Sequence, residues 1–125
     1  MEVLAADFPA AAALREGGNM RYQPKTLTLH WTLHVKQKMK FYGLSESRVK
    51  RVINHPTRRE VGLAPETVAA MQPTTKKQRT TQEIWVMYQD KGQTRTVITA
   101  WRYPGHSPVR GSIPIPDSIR RELNF

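Results

Sequence analysis

His34 and Lys38 stand four residues apart, a spacing that on a helix puts both side chains on one strip. An ammonium beside an imidazole depresses the imidazole pKa by like-charge repulsion. The ring then stays neutral near pH 7 and can accept a proton. A partly buried histidine bonded to backbone is the other reading of the same residue. His30 and His34 are also four apart, as two imidazoles chelating zinc on a helix would be. Trp31, however, stands where a metalloprotease motif needs Glu. If residues 26–33 are extended, the two rings lie on the order of 13 Å apart at roughly 3.3 Å per residue. No third ligand is nearby and the chain has no cysteine. Neither a metal nor any other cofactor is expected, and catalysis would rest on side-chain acid–base chemistry.

The charge says what such chemistry would act on. In 125 residues, 20 Lys plus Arg oppose 10 Asp plus Glu, a net +10 that favours a polyanionic partner. Lys36, Lys38, Lys40, Arg48, Lys50, Arg51, Arg58 and Arg59 cluster in one stretch opposed only by Glu46. Lys76, Lys77 and Arg79 form a second cluster, and Arg95, Arg102 and Arg110 follow. For any single residue a solvated surface is the ordinary explanation. No zinc finger, basic zipper or recognition helix points to duplex DNA. Interleaved Trp85, Tyr88, Trp101 and Tyr103 suit RNA, held through phosphates and stacked bases. The expected RNA contacts are Lys36, Lys40, Lys76, Lys77, Arg95, Trp101 and Arg102. The apolar run Phe8–Leu14 is far short of a bilayer span. Glu2, Asp7 and Pro9 spoil a secretion signal, so a cytoplasmic location with no membrane partner is expected.

The length suits one domain. Residues 1–25 read as an arm, an alanine-rich short helix or a disordered segment ended by Gly17-Gly18-Asn19 and Pro24. Alternation of Leu27, Leu29, Trp31 and Leu33 with polar residues predicts a strand over 26–33. Val35, Met39 and Tyr42 then follow helical spacing to Gly43, and Ser45 caps a second helix with Val49, Val52 and Ile53. Arg58–Gly62, Thr67–Gln72, Glu83–Gln89 and Thr94–Tyr103 predict strands, the last two closed by Asp90-Lys91-Gly92-Gln93. A Pro-rich tail, 104–125, carries a short helix from Ser118 to Leu123, capped by Asp117. The fold expected is α+β, with an N-terminal helical hairpin packed on an antiparallel sheet of about four strands and a short C-terminal helix.

His34 with Met39 and Gly43-Leu44-Ser45, the helix bearing Val49 and Val52-Ile53, and the strand Val97-Ile98-Thr99-Ala100-Trp101 together resemble a prokaryotic family. It comprises small uncharacterised domains whose first helix reads His-x-x-x-(Arg)-Met-x-x-Arg-Gly-Ile-Ser. They are considered relatives of the RelE and BrnT toxins within the metal-independent ribonuclease fold that includes barnase. The resemblance spans residues 30–103; Lys38 replaces the Arg before Met, and Tyr42 the Arg before Gly. It implies a RelE-like domain and a toxin-type endoribonuclease in which an RNA 2′-hydroxyl attacks the adjacent phosphate. Under that resemblance His34 is the acid or base, Lys38 and Arg79 stabilise the phosphorane, Thr99 binds a phosphate oxygen, and Tyr88 donates a proton or stacks. The implied partners are mRNA, on or off the ribosome, and an acidic protein antitoxin. A non-catalytic RNA- or ribosome-binding module on the same fold, and a basic protein-interaction domain, stand as alternatives.

Overall fold

The computed structural model describes residues 27–74, 82–109 and 111–124. The expected N-terminal arm, together with Lys76, Lys77, Arg79 and Arg110, lies outside them. Strand β1 (Thr28–Trp31) leads into helix α1 (Leu33–Tyr42) and helix α2 (Glu46–Asn54). Four strands follow, β2 (Arg58–Val61), β3 (Thr67–Pro73), β4 (Gln82–Lys91) and β5 (Thr94–Pro104), then helix α3 (Asp117–Leu123). The class is α+β, but the expected arrangement is corrected. The sheet has five strands in the order β1-β5-β4-β3-β2, and it is mixed, because β1 runs parallel to β5. The helices do not form an N-terminal hairpin on four antiparallel strands. They are inserted after a strand of the sheet, with α1 against β5 and α2 against β3 and β4. Thr28 pairs with Thr94, a parallel partner so far along the chain that no local pattern announces it.

Local chemistry explains where the helices begin and end. Thr32 caps α1 by accepting the Val35 amide at 3.0 Å, and Gly43 closes it in the left-handed conformation at φ 68°. Ser45 caps α2 through the Arg48 amide at 3.1 Å. Helix α3 instead has Pro116 at its cap position, with no side-chain cap.

The sheet is covered on both faces. Val35, Met39, Val49, Val52 and Ile53 pack on one face against Val68, Ala70, Ile84, Val86, Tyr88, Val97 and Ala100. On the other, Ala69, Met71, Met87 and the parallel-stacked Trp85–Trp101 pair, centroids 5.9 Å apart, lie beneath Ile113, Ile115 and Ile119. The stretch read as a tail is therefore the cover of the second face. Each large apolar side chain so buried contributes about 1.5–3 kcal/mol. Ser107 is fastened there to the buried Glu83 carboxylate, donating through its hydroxyl at 2.6 Å and its amide at 3.0 Å. Arg58 reaches the same serine and lies over the Trp85 ring.

Strand β5 carries the irregularity on which the site depends. Met87 pairs with Thr99 but Tyr88 pairs with Val97, so Ile98 is an extra residue. Val97 consequently faces α1 and α2, whereas Thr99 and Trp101 take the opposite face. Unbroken alternation along β5 would put Thr99 on the same face as Val97; the bulge separates them.

No described helix is long and apolar enough to cross a membrane.

Candidate functional site

Strand β1 pairs with β5 only as far as Val97, and α1 takes over the exposed edge beyond it. The Thr32 hydroxyl meets the carbonyls of Val97 and Ile98 at 3.2 and 3.1 Å, fixing the start of α1 at the bulge. Arg102 holds the other end, donating from Nε to the Tyr42 carbonyl at 2.7 Å and from a terminal nitrogen to Gly43. With Val35 and Met39 turned into the core, the adjoining strip, His34, Lys38 and Tyr42, faces the second side of the sheet.

There His34 meets Thr99. Its Nε2 lies 2.8 Å from Thr99 Oγ1, and Thr99 is 0% exposed. Nδ1 lies 3.6 Å from Glu122 of α3. Lys38 Nζ sits 2.9 Å from one Glu122 oxygen and donates to the other at 3.2 Å. The site is thus assembled from three elements: α1 supplies an imidazole and an ammonium, β5 a buried hydroxyl, and α3 a carboxylate. The side chains of His34 and Lys38 are 17% and 14% exposed, against 46% for Glu122. The carboxylate is the outermost member and the one most easily displaced.

The charges are balanced toward a neutral histidine. Burial depresses the His34 pKa below 6.5, Glu122 opposes that shift, and Lys38 adds to it. Burial, more than the lysine invoked from the sequence, keeps the ring uncharged. The Tyr42 hydroxyl is pushed above its usual value of 10 by burial, partly offset by Lys38 and reinforced by Glu122. Glu122 is held below 4.5, chiefly by its hydrogen bond from Lys38. The arrangement offers a neutral imidazole, an ammonium and a phenol that retains its proton.

Of the residues expected to act, His34, Lys38 and Thr99 come together. Tyr88 does not join them: it is buried on the opposite face, 3% exposed, with the Arg95 guanidinium 4.3 Å from its ring centre. Arg95 itself is clamped by Asp90 through two bonds of 2.6 and 2.7 Å. Trp101 is fully buried in the stack with Trp85 and offers no face to a base. Lys36 and Lys40 are exposed on α1, yet they lie roughly 200–240° around the helix from His34 at 100° per residue. Arg102 is half-buried and staples α1 to the sheet. Glu122 and Tyr42 are site members that sequence reasoning missed. Tyr42 completes an i, i+4, i+8 series with His34 and Lys38, a signal that was present. Nothing near Glu122 announces that α3 crosses the sheet to reach α1.

No protein family, curated protein or solved structure matches this chain. Among the described residues, no three His, Asp or Glu side chains converge as a metal site would require.

Proposed function

We propose that this domain binds RNA and cleaves it without a metal, by attack of a 2′-hydroxyl on the neighbouring phosphate. The observation that carries the reading is a half-buried, neutral His34 fixed on a buried hydroxyl beside the Lys38 ammonium. With its Nε2 proton given to Thr99 Oγ1, His34 turns the Nδ1 lone pair toward the open side where Glu122 now lies. An incoming phosphate displaces the Glu122 carboxylate from Lys38, replacing one anion by another at the same ammonium.

His34 Nδ1 then takes the 2′-hydroxyl proton as the oxygen attacks phosphorus. Lys38 offsets the charge that builds on the pentavalent phosphate oxygens. The Tyr42 hydroxyl, which holds its proton through the neutral range, passes it to the departing 5′-oxygen. The products are a 2′,3′-cyclic phosphate and a 5′-hydroxyl. Thr99 is a positioning residue in this scheme, since no substrate atom reaches a fully buried side chain.

This reading keeps the toxin-type resemblance and its cytoplasmic setting, with an acidic protein as natural inhibitor. Glu122 illustrates how an acidic side chain silences the cations. The same ion pair favours a second reading, a non-catalytic RNA- or ribosome-binding module in which Glu122 is a permanent partner of Lys38.

One experiment separates them. Purified protein is incubated with RNA in excess EDTA, with and without ribosomes, and the ends are analysed. Cyclic-phosphate termini that disappear in His34→Ala support cleavage. Salt-sensitive binding without cleavage in either protein supports the module, and absence of binding at low salt overturns both.

A further inference from the structure

Helix α1 presents one feature that the chemistry above leaves unused. Phe41 is 74% exposed, an aromatic ring standing in solvent. At 100° per residue it falls about 20° from His34 and about 60° from Lys38 around the helix, on the reactive side. The Lys38 ammonium lies 5.5 Å from its ring centre, and Tyr42 supports it edge-on at 4.8 Å.

Beyond Phe41, where α1 gives way to α2, three guanidiniums gather. Gln72, Ile84 and Arg102 form one rung across β3, β4 and β5, and Arg48 stands over it, bonded to the Gln72 side chain and the Pro73 carbonyl. Arg102 donates to the carbonyls of Tyr42 and Gly43 and to Gln82. Every one of these acceptors is neutral. The ion pairs among the described residues involve His34, Lys38, Arg58 and Arg95, never Arg48, Arg51 or Arg102. Burial, and then the proximity of Arg51 and Arg102, hold Arg48 below the usual guanidinium range. Like charges this close, with Arg48 and Arg102 anchored by neutral carbonyls and amides, are relieved by an oxyanion. Guanidinium forks match phosphate oxygens in pairs.

We propose that single-stranded RNA follows a track from His34–Lys38 across Phe41 to the Arg48–Arg51–Arg102 cluster, one base stacking on Phe41 and a flanking phosphate seated among the arginines. The inference rests on the proposed function for its ligand class and extends it with a stacking platform and a second phosphate site. An aromatic ring between two cationic centres is the arrangement by which single strands are held without sequence readout. The sequence pointed for stacking to Trp85, Tyr88, Trp101 and Tyr103; the first three are buried, and Phe41 takes that role.

The test is binding of a labelled single-stranded RNA oligonucleotide to the full chain, by fluorescence anisotropy over a salt series, with cleavage followed separately. Phe41 and Arg51 are exposed, so neither substitution removes a core contact. Phe41→Ala weakens binding about tenfold, within the range for stacking of one base, while Phe41→Trp retains it. Arg51→Gln lowers the slope of log affinity against log salt by about 0.7, one phosphate contact on a single strand. Unchanged affinity and slope in both variants, with His34-dependent cleavage intact, overturns the track and leaves the proposed function standing. An RNA that fails to bind the wild-type protein at low salt overturns both.

Discussion

Thr99→Val is the sharpest probe of the arrangement around His34. Valine keeps the shape and the strand preference of threonine and removes one oxygen. Thr99 is fully buried, so no water takes the place of the hydroxyl at the 2.8 Å position beside Nε2. Leaving one buried partner unsatisfied costs about 1–3 kcal/mol. The lower half applies because the His34 side chain retains 17% exposure, which gives about 1.5 kcal/mol. With a urea dependence of about 1.5 kcal/mol per molar, the unfolding midpoint falls by about 1 M with unchanged slope. The double-mutant cycle with His34→Ala isolates the bond from the packing. Thr99→Val costs about 1 kcal/mol less when the imidazole is already gone. A variant as stable as wild type, or a cycle with no coupling, would refute the account of Thr99 as the group that fixes the ring. Under the proposed chemistry Thr99→Val also disturbs the acid limb of the cleavage pH profile, which loss of stability alone would not do.

Other outcomes follow from the same geometry. Because the folded His34 pKa is depressed, the unfolded chain binds more protons below pH 6.5. The stability that His34 contributes is present above 6.5 and declines as pH falls through the folded value; urea midpoints at pH 7.5, 6 and 5 show that decline in wild type and a weaker one in His34→Gln. Glu122→Gln removes the carboxylate that raises His34, so the acid limb of RNA cleavage moves to lower pH. RNA affinity should increase as Lys38 is uncovered; an unchanged profile and affinity would count against Glu122 as the displaceable anion. Gly62→Ala places a Cβ 2.8 Å from the Thr67 Cβ and closer still to its hydroxyl. Thermal unfolding should report a loss of about 1–3 kcal/mol, and a neutral effect would mean that the 62–67 turn is looser than described.

What was legible in the sequence was local. Gly43 and Ser45 set the end of α1 and the start of α2 because capping is a property of a few adjacent residues. The β-branched and aromatic runs placed β3, β4 and β5 to within a few residues. His34, Lys38 and Tyr42 share a strip because helical periodicity demands it. The rest required contacts between distant segments. The strand before α1 was readable, but its parallel seat on β5 was not. The Ile98 bulge decides which face Thr99 takes, and it is a property of the pairing with β4. Trp101 and Tyr88 read equally well as base platforms or as core, and burial alone separates those roles. Glu122 reached the site through a helix that the sequence marks only as a short terminal element.

The parallel seat of β1 also has a consequence in time. A chain made from its N-terminus completes β1, α1 and α2 well before β5, and α3 comes last. His34 therefore leaves the ribosome 65 positions ahead of Thr99, and Lys38 84 positions ahead of Glu122. Until β5 arrives, β1 has no neighbour and α1 has no edge to lie on, so the imidazole stays solvated and unaligned. Under the proposed chemistry, a nascent chain surrounded by ribosomal RNA is thereby kept from assembling a cleaving centre until β5 has been made. The carboxylate that covers the centre follows within about two dozen residues of the hydroxyl that completes it.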